Sequence, residues 1–117
     1  MSLRCSVRLA IIGSRNIISD LEKYVDADVE EIVSGGAKGV DECAAAYAVK
    51  KGIKLVEFLP EYEKYGRAAP IVRNRAIVDY SDEVIAFWDG RSKGTQSVIK
   101  YCEKTGKRCR VILCDLP

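Results

Sequence analysis

Apolar residues in this chain come in two kinds of run. Short, nearly continuous runs alternate with segments in which apolar residues return every three or four positions. Val7 to Gly13 is the clearest of the first kind, an apolar run that predicts a strand buried on both faces. Glu30 to Val33, Ile53 to Pro60, Asp82 to Trp88 and Arg108 to Cys114 predict four more strands. Between them lie helical patterns. Ile17, Ile18, Leu21, Tyr24 and Val25 recur at helical spacing, and Val40, Cys43, Ala44, Tyr47 and Ala48 form one stripe. Pro70 suits the first turn of a helix over 71–81, although Ile71, Ala76, Ile77 and Val78 make no clean stripe. A last helix begins at Thr95, with Thr95, Val98, Ile99 and Cys102 inward. Gly52 and Gly106 each follow a lysine-bearing last turn, as helix stops do. Glu61 to Pro70 reads as irregular.

Five strands alternating with four helical segments need crossover connections. Right-handed crossovers yield an α/β fold, a Rossmann-like doubly wound parallel sheet of order 3-2-1-4-5 with helices on both faces. At 117 residues the chain reads as one domain, 1–117, with enough length for a core. In such sheets ligands bind outside the C-terminal strand ends, where strand order reverses. The loops after the first, second and fourth strands all fall at that edge.

Composition narrows the functions. The apolar fraction is 48% and the charged fraction 31%, as in a folded globular protein. Nineteen basic against 17 acidic residues leave a net charge of +2, too balanced for bulk nucleic-acid or membrane binding. With no histidine, the usual general base and the common triads are missing. Five cysteines without paired short spacing argue against both a disulfide framework and a zinc site, and read as reduced thiols, largely buried. No metal or certain cofactor is expected. The N-terminal segment carries no cleavable signal pattern, and no apolar run approaches a membrane span, so a cytoplasmic location is expected.

The chemistry concentrates in the loops. The second one, Ser34-Gly35-Gly36-Ala37-Lys38-Gly39, joins a strand to a helix that starts near Asp41. Glycine lets backbone turn tightly or lets a ligand come close, and the helix start turns unpaired N–H groups toward the turn. Strand, glycine turn and helix start together make an anion pocket, or else only a tight connection. Lys38 either reaches a phosphate or lies in solvent. Asp41 either stabilises the helix N-terminus or accepts from ribose hydroxyls. The first loop offers Gly13 for the turn, Ser14 as cap or phosphate donor, and Arg15 as a planar fork for phosphate. It lacks GxGxxG, and the second loop lacks the P-loop spacing, so ordinary dinucleotide binding and nucleotide hydrolysis of those kinds are disfavoured. The fourth loop, Asp89-Gly90-Arg91-Ser92-Lys93-Gly94-Thr95, repeats the logic of the second. Arg73 and Asn74, near the start of the third helix, face the same crevice or form a polar helix face, while Arg75 points elsewhere. Trp88 reads as a packed rim residue rather than a base platform.

IIGSRN, SGGAKGVDECAAAYA, the Pro70–Arg73–Asn74 cluster and DEVIAFWDGRSKGT, in this order, resemble the SLOG superfamily of Rossmann-like nucleotide-binding domains, and its YspA-like branch in particular. The resemblance implies a nucleotide or nucleotide-derived ligand, ADP-ribose-like compounds included, and it implies no reaction. The related "lonely guy" phosphoribohydrolases carry PGGxGTxxE after the fourth strand. Here DGRSKGTQSV stands there, and Val98 occupies the position of their catalytic glutamate. Their arginine in the preceding helix is matched by Arg73. An N-glycosidase or phosphoribohydrolase activity would need Asp41, Glu42 or Asp89 as the carboxylate. DNA-processing DprA-like proteins carry similar SGGARGID and RNR segments, matched by SGGAKGVD and Arg73-Asn74-Arg75, and bind single-stranded DNA. That activity ranks third for a chain without a basic stripe; Arg15, Lys38, Arg73, Arg75 and Lys93 would carry it. The relatives' habit of pairing through helices leaves a homo-dimer or higher oligomer as an option.

Overall fold

A computed structural model describes residues 7–13, 21–36 and 39–114. Five strands, β1 (Val7–Gly13), β2 (Val29–Ser34), β3 (Lys54–Glu57), β4 (Glu83–Trp88) and β5 (Arg108–Leu113), form one sheet. All its neighbours are parallel and its order is β3-β2-β1-β4-β5. Four helices are described: α1 (Val40–Lys51), α2 (Tyr62–Tyr65), α3 (Ala69–Tyr80) and α4 (Lys93–Thr105).

The period-two geometry of strands divides the core in two. Leu9, Ile11, Ile32, Ile85 and Phe87 point to one face, where Leu21 and Val40, Ala44 and Ala48 of α1 cover them. Ala10, Ile12, Val33, Val84 and Ala86 point to the other, under Ile77 and Val78 of α3 and Val98 and Cys102 of α4. A central strand with covers on both sides must be apolar at successive positions, which is why β1 reads as an unbroken run. The stops act as expected: Gly52 and Gly106 take left-handed conformations, φ 68° and 74°, closing α1 and α4 onto their own carbonyls.

Several boundaries differ from the sequence expectation. β3 is shorter, because β2 leaves the ladder after Ser34 and Phe58 N–H makes the last bond, 2.9 Å to the Ser34 carbonyl. The stretch expected to be irregular is the single turn α2 followed by a 3-10 turn, Gly66–Ala68, that leads into α3. Pro70 does sit in the first turn of α3. α4 begins two residues earlier than Thr95, so Lys93 and Gly94 are helical. The expected first helix falls mostly on 14–20, outside the described residues; its described part is a 3-10 turn, Leu21–Lys23, after which Tyr24 meets Phe87 edge-on with ring centroids 5.3 Å apart. Of the four described cysteines, Cys102 is buried, while Cys43, Cys109 and Cys114 are half-exposed, less buried than expected. No helix among the described residues is long and apolar enough to cross a membrane.

Candidate functional site

Because every strand runs the same way, Gly13, Ser34, Glu57, Trp88 and Leu113 end at one edge of the sheet. The loops singled out in the sequence therefore gather there. At the end of β2 the Ser34 hydroxyl is buried and accepts the Gly36 N–H at 3.2 Å. Gly36 turns the chain with φ 71°, and a Cβ there would also stand 2.8 Å from Leu59 Cδ2. Gly39, φ 81°, caps α1: its carbonyl takes the Cys43 N–H, and its own N–H donates to the Glu42 carboxylate at 3.1 Å. Ala37 and Lys38 lie outside the described residues, as do Ser14 and Arg15.

Gly35 is a glycine for a different reason. Its φ is ordinary, but a Cβ would lie 2.6 Å from Arg73 Nη1 and 3.2 Å from Asp41 Oδ2. The missing side chain makes room for a guanidinium from α3 and a carboxylate from α1, which arrive from opposite faces of the sheet. Arg73 is held firmly. Its Nε donates to Asn74 Oδ1 at 2.7 Å, and its Nη1 donates to the carbonyls of Gly35 and Phe58 at 2.8 and 3.3 Å. Three of the five guanidinium N–H groups are thus accounted for, and the pair on Nη2 has no acceptor among the described residues. Asp41 is 8% exposed, in the first turn of α1. So Gly35, Asp41, Arg73 and Asn74 come together over the ends of β2 and β3. The Phe58 carbonyl and Leu59 join them, with no signal in the sequence that marks either.

Gly13 also lacks a positive φ, so a special turn is not what requires it. A Cβ would be 2.5 Å from the Phe87 carbonyl oxygen and 3.0 Å from Val40 Cγ2. The glycine lets α1 and β4 close on the end of β1.

The fourth loop is largely closed on itself. Asp89 Oδ1 accepts the N–H groups of Arg91 and Ser92 at 2.8 and 2.7 Å, and Gly90 turns with φ 81°. Ser92 caps α4 through the Thr95 N–H, and its carbonyl takes the Trp88 indole N–H at 3.0 Å. Trp88 is therefore a tied-down rim residue. The sequence picture of bare loop amides holds only in part: those of Gly36, Gly39, Arg91, Ser92 and Thr95 have internal acceptors. Those of Lys93 and Gly94, in the first turn of α4, have none among the described residues. Gly94 has an ordinary φ and open space where a Cβ would go, so the fold does not require glycine there. Among the described residues no hydrogen bond or ion pair joins this loop to the Arg73 group; the end of β1 lies between them.

The carboxylates divide accordingly. Glu42 is engaged in capping α1 and Asp89 in holding the fourth loop, and Val98, on the inner side of α4, is buried in the core, 3% exposed. No group of three metal-ligating side chains stands together among the described residues.

A family model described as "YspA, cpYpsA-related SLOG family" matches residues 7–65, half of the chain. The chain belongs to that SLOG family. The matched stretch runs from β1 through α2 and so contains Gly13, the Ser34–Asp41 turn and α1; Arg73, Asn74 and the fourth loop lie beyond it. A comparison with curated proteins returned no match.

Proposed function

We propose that this SLOG protein binds a nucleotide or nucleotide-derived phosphorylated ligand at the C-terminal edge of its sheet, as a sensor or binding module. The observation that carries the reading is Arg73. A guanidinium fixed by three hydrogen bonds, with two N–H groups left over, sits at the glycine turn that leads into α1. A planar cation held in advance loses little freedom on meeting a phosphate, and the two N–H groups of Nη2 can each donate a charge-assisted bond to a phosphate oxygen. The dipole of α1 adds to the attraction, and the first-turn amides of α4 supply a second donor set at the same edge. Asp41, close against Gly35, is suited to ribose hydroxyls. Family membership is compatible with a nucleotide-related ligand. The candidate contacts are Gly13, Ser14, Arg15, Ser34 to Gly39, Asp41, Arg73, Asn74, Asp89, Gly90 and Ser92 to Thr95.

Binding is favoured over hydrolysis of an N-glycosidic bond. Glu42 caps α1, Asp89 holds the fourth loop, and Val98 stands where the phosphoribohydrolases place their glutamate, so that position carries no carboxylate. Titration calorimetry against nucleoside mono- and diphosphates and ADP-ribose tests the proposal. Binding should appear for at least one, and Arg73→Ala should lose about tenfold or more, as for a truncated charge-assisted contact. Failure of the whole panel to bind, or an Arg73→Ala protein that binds as wild type, would overturn it. Release of free base during the incubation would move the reading to the enzyme.

A further inference from the structure

A cavity of about 410 Å³ lies between α3 and α4 and runs back along α4 from Lys93 at the strand-end edge. Arg75 lines it from α3; Lys93, Lys100 and Lys104 line it from α4, with Gln96, Ser97 and Tyr101 between them. The three lysines stand at i, i+7 and i+11, so they run along one side of the helix over roughly 16 Å at 1.5 Å per residue, a basic stripe where the sequence pattern leads one to expect none. None of the four cations is in an ion pair among the described residues. Asp79, the acid nearest in the hydrogen-bond network, accepts the Tyr101 hydroxyl at 2.8 Å. Four like charges around one concavity repel one another, and Asp79, the one acid held against a lining side chain, does not form an ion pair with any of them among the described residues.

We infer that this groove is a second anion site, distinct from the strand-end site, and that it takes a linear chain of phosphate groups. A single phosphate would meet only one or two of cations spread over such a length. A nucleotide pocket offers only a few placed polar groups, whereas four of the seven residues lining this one are cations. Single-stranded nucleic acid would want open aromatic faces for its bases. The one aromatic ring here, Tyr101, has the Arg75 guanidinium 5.4 Å from its centroid. What remains is affinity for dense, regularly spaced negative charge, as in a phosphoanhydride chain. Arg75, Lys100 and Lys104 have no part in the strand-end site, and Lys93 at the head of α4 is the only residue common to both.

The test is titration of the full chain with medium-chain inorganic polyphosphate at low and moderate salt. Lys100→Gln/Lys104→Gln and Lys100→Arg/Lys104→Arg serve as variants. The wild type should bind, and the glutamine variant should bind about tenfold or more weakly, its log–log salt slope shallower by about 1.4 for two lost phosphate contacts. The arginine variant should retain wild-type affinity. Thermal stability and nucleotide binding at the strand ends should be unchanged in both, so failure here leaves the strand-end proposal standing. A nucleoside tetraphosphate that binds the groove as tightly as inorganic tetraphosphate supports the chain itself as the determinant. No binding at low salt, equal affinity of the glutamine variant, equally effective competition by inorganic monophosphate, or tighter binding of an oligothymidylate would overturn the inference.

Discussion

Replacing Gly35 by alanine tests the strand-end geometry most sharply. The new methyl would sit 2.6 Å from Arg73 Nη1, against an ordinary contact of about 3.5 Å. An arginine tip in solvent would swing away at little cost. This one must give up bonds: a retreat of about 0.9 Å stretches the 2.8 Å bond to the Gly35 carbonyl beyond hydrogen-bond range. The 3.3 Å bond to the Phe58 carbonyl is longer already and goes with it. Losing such charge-assisted bonds costs about 2–3 kcal/mol, offset by about 0.5–1 kcal/mol because alanine restricts the unfolded chain more than glycine. The net expectation is about 1–2.5 kcal/mol, read by urea denaturation with the slope unchanged. A double-mutant cycle identifies the cause. In an Arg73→Ala background the methyl has room, so Gly35→Ala should stabilise by about 0.5–1 kcal/mol and the coupling should be about 2 kcal/mol or more. A Gly35→Ala cost below about 0.5 kcal/mol, or one that survives removal of the guanidinium, refutes the argument. If it survives there but vanishes in Asp41→Ala, the carboxylate at 3.2 Å is the group displaced.

Gly13→Ala should destabilise more than Gly35→Ala, by about 3 kcal/mol, because the atom it strikes is a backbone carbonyl that cannot rotate away; paired urea melts give the ranking. Gly94→Ala should do the reverse and stabilise by about 0.5–1 kcal/mol, since it fills open space in a helical turn. The same change should weaken nucleotide binding, and calorimetry showing unchanged affinity would mean that the ligand does not approach the start of α4. Asp82, at the opposite edge, accepts the Arg8 backbone N–H and then its guanidinium, which hold its carboxyl below the usual range against the opposing effect of partial burial. A folded-state pKa that is depressed stabilises above the unfolded value and is lost as pH falls through the folded one. Asp82→Asn should therefore melt below wild type at pH 7, with the gap narrowing below about pH 4; a gap constant down to pH 3 would contradict this.

What could be read from the sequence follows the range of each interaction. The buried run of β1, the inward stripe of α1 and the two glycine stops are local patterns, and they hold. The sheet order followed from the alternation of elements and the handedness of crossovers. The shortened β3 did not, because its length is set by where β2 turns away. Within the site, Gly36 and Gly39 do have the positive φ that a turn glycine announces. Gly13 and Gly35 look identical to them in sequence, yet serve to admit Phe87 and Arg73, residues that neighbour them only after folding. The early start of α4 depended on Ser92 acting as the cap, whereas the apolar stripe that marks the helix in the sequence begins only at Thr95.

One side chain, Arg73, grips carbonyls from two successive connections, those that leave β2 and β3. The two loops are thereby fastened to α3 by a shared rivet, and neither can fray without loosening the other. Their amides should exchange with solvent as a single cooperative unit, and a guest that tightens the grip on one loop would quiet both.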